Sequence, residues 1–230
     1  MLSIRTSGRS LMLAANLRAM ATVIKHGAYT EFEGKDGSED PLTSRLLSEH
    51  RGLEGLFQQY EQLPPGTNPK ERLHLGYEMI RQISLHAATE EVVLYPAIAK
   101  HQSKQAADRL IAETQAVKEV LADLNAAHDP ADPRIAELVD KTIQLTREHI
   151  KDEESSCLPQ LSQALPAAEL QRLARQFAAA RGIAPTRPHP YAPNRRPWNV
   201  PAMAAAVPVD LVRDAVRFGL RDLKSDVNRA

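Results

Sequence analysis

Three histidines and two glutamates of this chain fall where helical spacing would bring them together: His50, His86, Glu90, His149 and Glu153. His86 and Glu90 are four positions apart, as are His149 and Glu153, so each pair shares one face of a helix. The surrounding three-and-four spacing is apolar. Met79, Ile83, Leu94 and Ala97 continue the line of the first pair, and Leu138, Thr142, Leu145 and Cys157 that of the second. His50 interrupts a third line of Leu46, Leu53, Phe57 and Tyr60. A lone histidine on an apolar face is ordinarily a satisfied core residue; a repeated His-x-x-x-Glu pair is not so easily explained. Two carboxylates in one apolar seam cost on the order of several kcal/mol each unless they are paired or bound to a cation. No arginine or lysine lies on these lines. Imidazole nitrogen and carboxylate oxygen suit iron, manganese or zinc, and glutamates placed to bridge suggest two ions rather than one.

Such a seam needs helices to carry it. Four segments with helical apolar spacing follow Pro41: residues 42–63, 69–101, 104–127 and 133–164, separated by proline-bearing breakers, with no segment alternating like a strand. They predict an all-α protein, an up-down-up-down antiparallel four-helix bundle with one apolar stripe of each helix turned inward. A short helix is expected at 166–181. From Ala184 the run APTRPHPYAPNRRPWNVP is too proline-rich for a helix and should lie extended on the surface. Val209, Val212, Val216 and Leu220 then predict a last helix over 208–224, docking through its apolar face on the bundle or on a partner. The organisation expected is an N-terminal extension and linker (1–41), the bundle (42–164), and a C-terminal extension with short helices and a proline-rich segment (165–230).

Composition narrows the partners. Lys plus Arg equals Asp plus Glu at 29 each, so no global field favours nucleic acid or an anionic membrane. No apolar run is long enough to span a bilayer. The single cysteine, Cys157, excludes a disulfide framework or a thiolate metal cluster and fits a reducing, intracellular compartment. Residues 1–30 hold Arg5, Arg9, Arg18 and Lys25 before the first acid, Glu31. That bias matches a mitochondrial transit peptide, or equally a basic extension that stays on a cytoplasmic protein.

The motifs also carry a resemblance. Leu47-Ser48-Glu49-His50, His86-Ala87-Ala88-Thr89-Glu90-Glu91 with Leu94-Tyr95-Pro96, and His149-Ile150-Lys151-Asp152-Glu153-Glu154 with Leu158-Pro159 resemble the three motifs of the hemerythrin-like HHE cation-binding domains. The Thr186-Arg187-Pro188-His189-Pro190 tail is similar to members of the same group. The resemblance implies a bundle with a non-haem di-iron centre held by His50, His86, Glu90, His149 and Glu153. It implies handling of dioxygen, nitric oxide or peroxide, or buffering of iron. One position departs from the pattern: Thr114 stands where the family usually has a histidine, in Glu113-Thr114-Gln115-Ala116-Val117-Lys118. One metal would lose a strong donor there unless Glu113 turns inward to supply an oxygen.

Other residues weigh less. Glu91 and Glu154 are expected at the bundle rim, with hydrogen bonds to ligand imidazoles as a role for them. His74 is too far along its helix to share the metal, and His101 and His128 fall at helix ends. Tyr60 and Tyr95 either line the site or pack the bundle; His189 and Trp198 read as packing or surface residues. Cys157 reads as a buried small hydrophobe. The readings kept beside a metal and ligand-binding protein are an iron enzyme consuming peroxide or dioxygen, and a helical interaction module whose metal site is degenerate.

Overall fold

The structure is a computed structural model, and it describes residues 40–218. The basic, acid-free N-terminal stretch, Leu220 and the end of the expected 208–224 helix lie outside the described residues. Among the described residues every regular element is helical: α1 (Pro41–Glu61), α2 (Pro69–Val92), α3 (Leu94–His101), α4 (Lys104–Ala126), α5 (Arg134–Asp152), a π-helical turn (Glu153–Cys157), α6 (Leu158–Ala164), α7 (Ala167–Arg181) and α8 (Asn199–Phe218).

Local chemistry sets the helix starts. Asp40 Oδ1 accepts from the Leu42 and Thr43 amides at 2.9 Å each, with Pro41 in the first turn where its missing N–H costs nothing. Asn68 caps α2 the same way ahead of Pro69, and Ser103 caps α4 through the Ala106 amide at 3.0 Å. The loop between α1 and α2 turns through Gly66, whose φ of 85° favours a residue without a Cβ.

Helices α1, α2, α4 and α5 form the bundle, with α1 against α2, α2 against α4, and α4 against α5. Their apolar residues form two cores. One gathers Phe57, Met79, Ile83, Leu121, Leu124, Val139 and Ile143; the other gathers Leu46, Leu94, Ile98, Leu110, Leu158 and Phe177. The chain meets these cores in alternate order from each helix to the next. His50, His86, Glu90, Thr114, His149 and Glu153 are buried at positions between the residues each helix gives to the two cores. The polar layer therefore divides the hydrophobic interior.

Several expectations are corrected in detail. The segment 69–101 is not one helix: it breaks at Val93, because Pro96 has no N–H to donate to the Val92 carbonyl. That carbonyl accepts instead from Arg196 Nη2 at 2.8 Å, and the Glu91 carbonyl accepts from Asn199 Nδ2 at 3.0 Å. The segment 133–164 is interrupted by the π turn. Its buried line runs through Ile135, Val139, Thr142, Ile143 and Thr146, while Leu138 and Leu145, expected on the inward stripe, are only half-buried. Thr146 can be buried because its hydroxyl donates to the Thr142 carbonyl at 2.8 Å.

The C-terminal extension departs most. Ala184, Pro185, Thr186 and Arg187 are buried rather than laid over the surface, and the last helix starts at Asn199, not at 208. Pro201 lies in its first turn, where proline is tolerated. Val209, Val212 and Val216, the face expected to dock, are exposed, while Asp210 and Asp214 are buried. Arg187 Nη2 donates to Asp214 Oδ1 at 2.9 Å, and its backbone N–H donates to Asp210 Oδ2 at 3.2 Å. His189 Nε2 lies 3.0 Å from that same Asp210 oxygen. α8 is held by these buried charges and by Met203, which joins the apolar core. No helix among the described residues is long and apolar enough to cross a membrane.

Candidate metal centre

Helices α1, α2 and α5 bring the three imidazoles to one layer. In each ring Nδ1 faces a carboxylate that lies outside the seam: His50 Nδ1 is 2.7 Å from Glu154 Oε1, His86 Nδ1 is 3.0 Å from Glu49 Oε2, and His149 Nδ1 is 3.0 Å from Glu113 Oε2. A carboxylate can only accept, so each Nδ1 carries its proton. In the neutral ring Nε2 then holds the lone pair.

All three Nε2 atoms turn toward Glu90 and Glu153. His86 Nε2 is 2.9 Å from Glu90 Oε1 and His50 Nε2 is 3.4 Å from Glu153 Oε2. His149 Nε2 is 3.4 Å from Glu153 Oε1 and 3.7 Å from Glu90 Oε2. Both carboxylates are fully buried. His50 Nε2, His86 Nε2, Glu90 Oε1 and both Glu153 oxygens make no hydrogen bond of acceptable direction. Lone pairs facing ionised oxygens in an apolar interior repel one another unless something positive lies between. His50, His86, Glu90 and Glu153 each offer one donor atom within 4.8 Å of the others, a set that fits a divalent cation.

Protons can fill the same role. Burial opposes a charge on His86, but Glu90 beside it and Glu49 behind it raise its pKa to about 10. Burial likewise opposes a charge on His149, and Glu153, Glu113 and Glu90 outweigh it and push the ring well above its ordinary range. His50 is raised in spite of burial by Glu153 and Glu154. Burial would raise Glu90, yet His86 and His149 hold it well below the usual carboxylate range; Glu153 is raised by burial and by the charge on Glu90. The layer is therefore built to hold positive charge.

The departure at Thr114 is filled by Tyr95. Its hydroxyl donates to Glu90 Oε2 at 2.9 Å and lies 2.7 Å from Thr114 Oγ1 and 3.1 Å from His149 Nε2. The phenol hydroxyl thus stands among Glu90, His149 and Thr114. Burial and the charges of Glu90 and Glu153 push its pKa well above that of an ordinary tyrosine.

Of the residues expected at the site, His50, His86, Glu90, His149 and Glu153 share the layer. Glu113 sits behind His149, one-third exposed, with its carboxylate on Nδ1 rather than among the Nε2 atoms. Glu154 does hydrogen-bond an imidazole, whereas Glu91 pairs with Lys118 at 2.8 Å. Glu49 has a part in the site that sequence reasoning did not assign. Its signal was only its adjacency to His50 in the first motif.

Fold and site define a helical-bundle protein with a buried histidine and carboxylate cluster of the composition a cation site requires. The model of the hemerythrin HHE cation binding domain matches residues 42–161, more than half of the chain, and the chain belongs to that family. It is similar to an uncharacterized hemerythrin-like protein of Schizosaccharomyces pombe, 26% identical over 176 residues that cover 75% of this chain and 85% of the relative. It is also similar to a DNA nickase of a Nostoc species, 22% identical over 149 residues; the match covers 65% of this chain but only 41% of that protein's length. No solved structure matches the chain.

Proposed function

We propose that this protein holds non-haem iron in the buried layer and uses it to bind a small ligand, dioxygen, nitric oxide or peroxide, or to buffer iron. The observation that carries this reading is the convergence of three imidazole Nε2 atoms, each with Nδ1 committed to a carboxylate, on Glu90 and Glu153. His50, His86, Glu90 and Glu153 would hold one ion. His149, with Glu90 and Glu153, would help to hold a second ion beside Tyr95. Iron bound there would supply a redox-active Lewis acid able to bind a diatomic or peroxide ligand.

The protein's own contribution is to fix and shield. Glu49, Glu113 and Glu154 set the tautomer of each ring, and the two apolar cores close the layer above and below. Tyr95 places its hydroxyl beside His149 and commits its one proton to Glu90 Oε2, so it helps to hold that carboxylate in place.

Iron analysis of protein produced with iron, beside His86→Ala and His149→Ala, tests the proposal. Parent protein with bound iron, and variants depleted of it, is the expected result. A parent with no iron after production in iron-rich medium would defeat the reading. About two ions per chain would support the two-ion arrangement, and about one would restrict it to the His50 and His86 side.

A further inference from the structure

The three carboxylates that hold the imidazoles are not equivalent. Glu154 and Glu113 have side chains 39% and 33% exposed, so water helps to stabilise their charge. Glu49, on His86, is 2% exposed. An ionised carboxylate at that depth needs a positive partner, and it has one. Arg181 Nη1 lies 2.9 Å from Glu49 Oε2, the same oxygen that faces His86 Nδ1 at 3.0 Å. Arg181 Nη2 also donates to Gln82 Oε1 at 3.0 Å, which ties the guanidinium to α2 one turn before His86.

Arg181 is the last residue of α7, twenty positions beyond the end of the matched family region at residue 161. α7 packs on both α1 and α2, which carry Glu49 and His86. Leu170, Leu173, Ala174 and Phe177 join the same apolar core as Leu46 and Leu94. The helix is thus seated on the bundle by burial, and its final turn delivers the arginine to the wall of the centre.

We propose that Arg181 is a positioning residue of the metal centre: it holds the Glu49 carboxylate in place, and through Glu49 orients His86 so that Nε2 faces the metal. The centre then extends beyond the four bundle helices to α7, and His86 depends on a part of the chain outside the family's domain. This inference rests on the metal-binding reading above. It concerns which residues tune the metal, not whether metal is bound.

The test uses iron-loaded full-length protein and compares the parent with Arg181→Met, Arg181→Lys, Glu49→Gln and the double variant Glu49→Gln/Arg181→Met. Two quantities are read: the rate of iron loss to a bipyridine chelator after reduction with dithionite, and, before reduction, the ferric absorption spectrum at equal iron occupancy. Arg181→Met is expected to speed iron loss roughly tenfold, the scale at which partners of metal-bound histidines act, and to shift the absorption. Arg181→Lys should restore most of both. In the Glu49→Gln background, Arg181→Met should add little, because the arginine acts through that carboxylate. The double variant also removes a buried charge pair together, so it keeps the comparison available if Arg181→Met alone does not fold. Parental iron loss and spectrum in a folded Arg181→Met protein would overturn the inference and leave the metal reading intact. So would independent, multiplying effects of Arg181→Met and Glu49→Gln. A parent protein without iron would overturn the metal reading itself, and this inference with it.

Discussion

At the scale of single residues, the centre is decided by which imidazole nitrogen is free. Glu154 is the most exposed of the three holding carboxylates, so its removal should touch the metal more than the fold. Glu154→Ala is expected to weaken iron binding roughly tenfold with little change in the denaturant midpoint; chelator competition and urea unfolding measure the two effects separately. The charge on His86 sets a pH dependence of definite sign. In the metal-free protein its pKa is about 10, against an ordinary value of 6.5. A raised pKa contributes stability that is fully present below the unfolded value and is lost as pH rises through the folded one. Metal-free protein should therefore lose urea resistance between about pH 7 and about pH 10. A metal ion held as proposed would need the His86 Nε2 without its proton, so iron taken up there should be retained less well as pH falls. A metal-free protein that gains stability across the alkaline range would contradict this account.

The residues legible in the sequence were those that helical periodicity could pair. His86 with Glu90 and His149 with Glu153 stand at i and i+4 with apolar neighbours, and His50 interrupts an apolar line. Glu113 reads as an oxygen donor only if it turns inward, with a solvent-facing position as the alternative; it backs His149 instead, because a helix position next to Thr114 points roughly 100° away from it. Glu49 was not legible as a holder of His86, since that contact joins two helices and no spacing within one helix reports it. Tyr95 was named only as a residue that either lines the site or packs. On a straight helix it would stand roughly 140° around from Glu90, and only the break at Val93 turns its hydroxyl onto that carboxylate.

At the scale of elements, both helices that carry a His-x-x-x-Glu pair lose regularity just beyond the glutamate. α2 breaks at Val93, three residues past Glu90, and α5 passes into the π turn at Glu153. Such irregularities free backbone groups and redirect side chains, and they concentrate at functional sites. Sequence periodicity supplied the helices and most of their ends to within a few residues, but it read through both interruptions. Pro96 marked the first, yet what makes it tolerable comes from far along the chain. Asn199, buried at the start of α8, donates to the Glu91 carbonyl at 3.0 Å. Asn199→Ala would leave that buried carbonyl without this donor and should cost roughly 1–3 kcal/mol in chemical denaturation. An unchanged unfolding free energy would mean that the carbonyl has another donor and that α8 does not brace the break.

At the scale of the whole molecule, the C-terminal extension belongs to the fold, and its last helix is seated through a different face from the one its sequence advertises. The valine spacing of 209, 212 and 216 reads as a docking face, but apolar periodicity says only that a face is apolar, not that the bundle has an apolar surface left to receive it. That surface is already used, because α7 contributes Phe177 and its neighbours to the core. α8 adds Met203 to that core, and beside it lies a charged seam in which Asp210 and Asp214 are almost wholly buried against Arg187 and His189. Arg187 Nη1 also donates to Asn125 Oδ1 at 2.7 Å, and Arg217 reaches the same oxygen at 2.8 Å, so the seam ties α8 to the end of α4. Breaking one partner of a buried pair leaves the other charge uncompensated, at a cost of roughly 3–5 kcal/mol. Arg187→Met should therefore loosen the extension, seen as new protease cleavage between α7 and α8 and a lower unfolding midpoint. Val212→Lys, on the exposed face, should change stability by no more than about 0.5 kcal/mol. The two variants separate the accounts cleanly: a destabilising Val212→Lys beside a neutral Arg187→Met would mean that the valines dock and the charges do not.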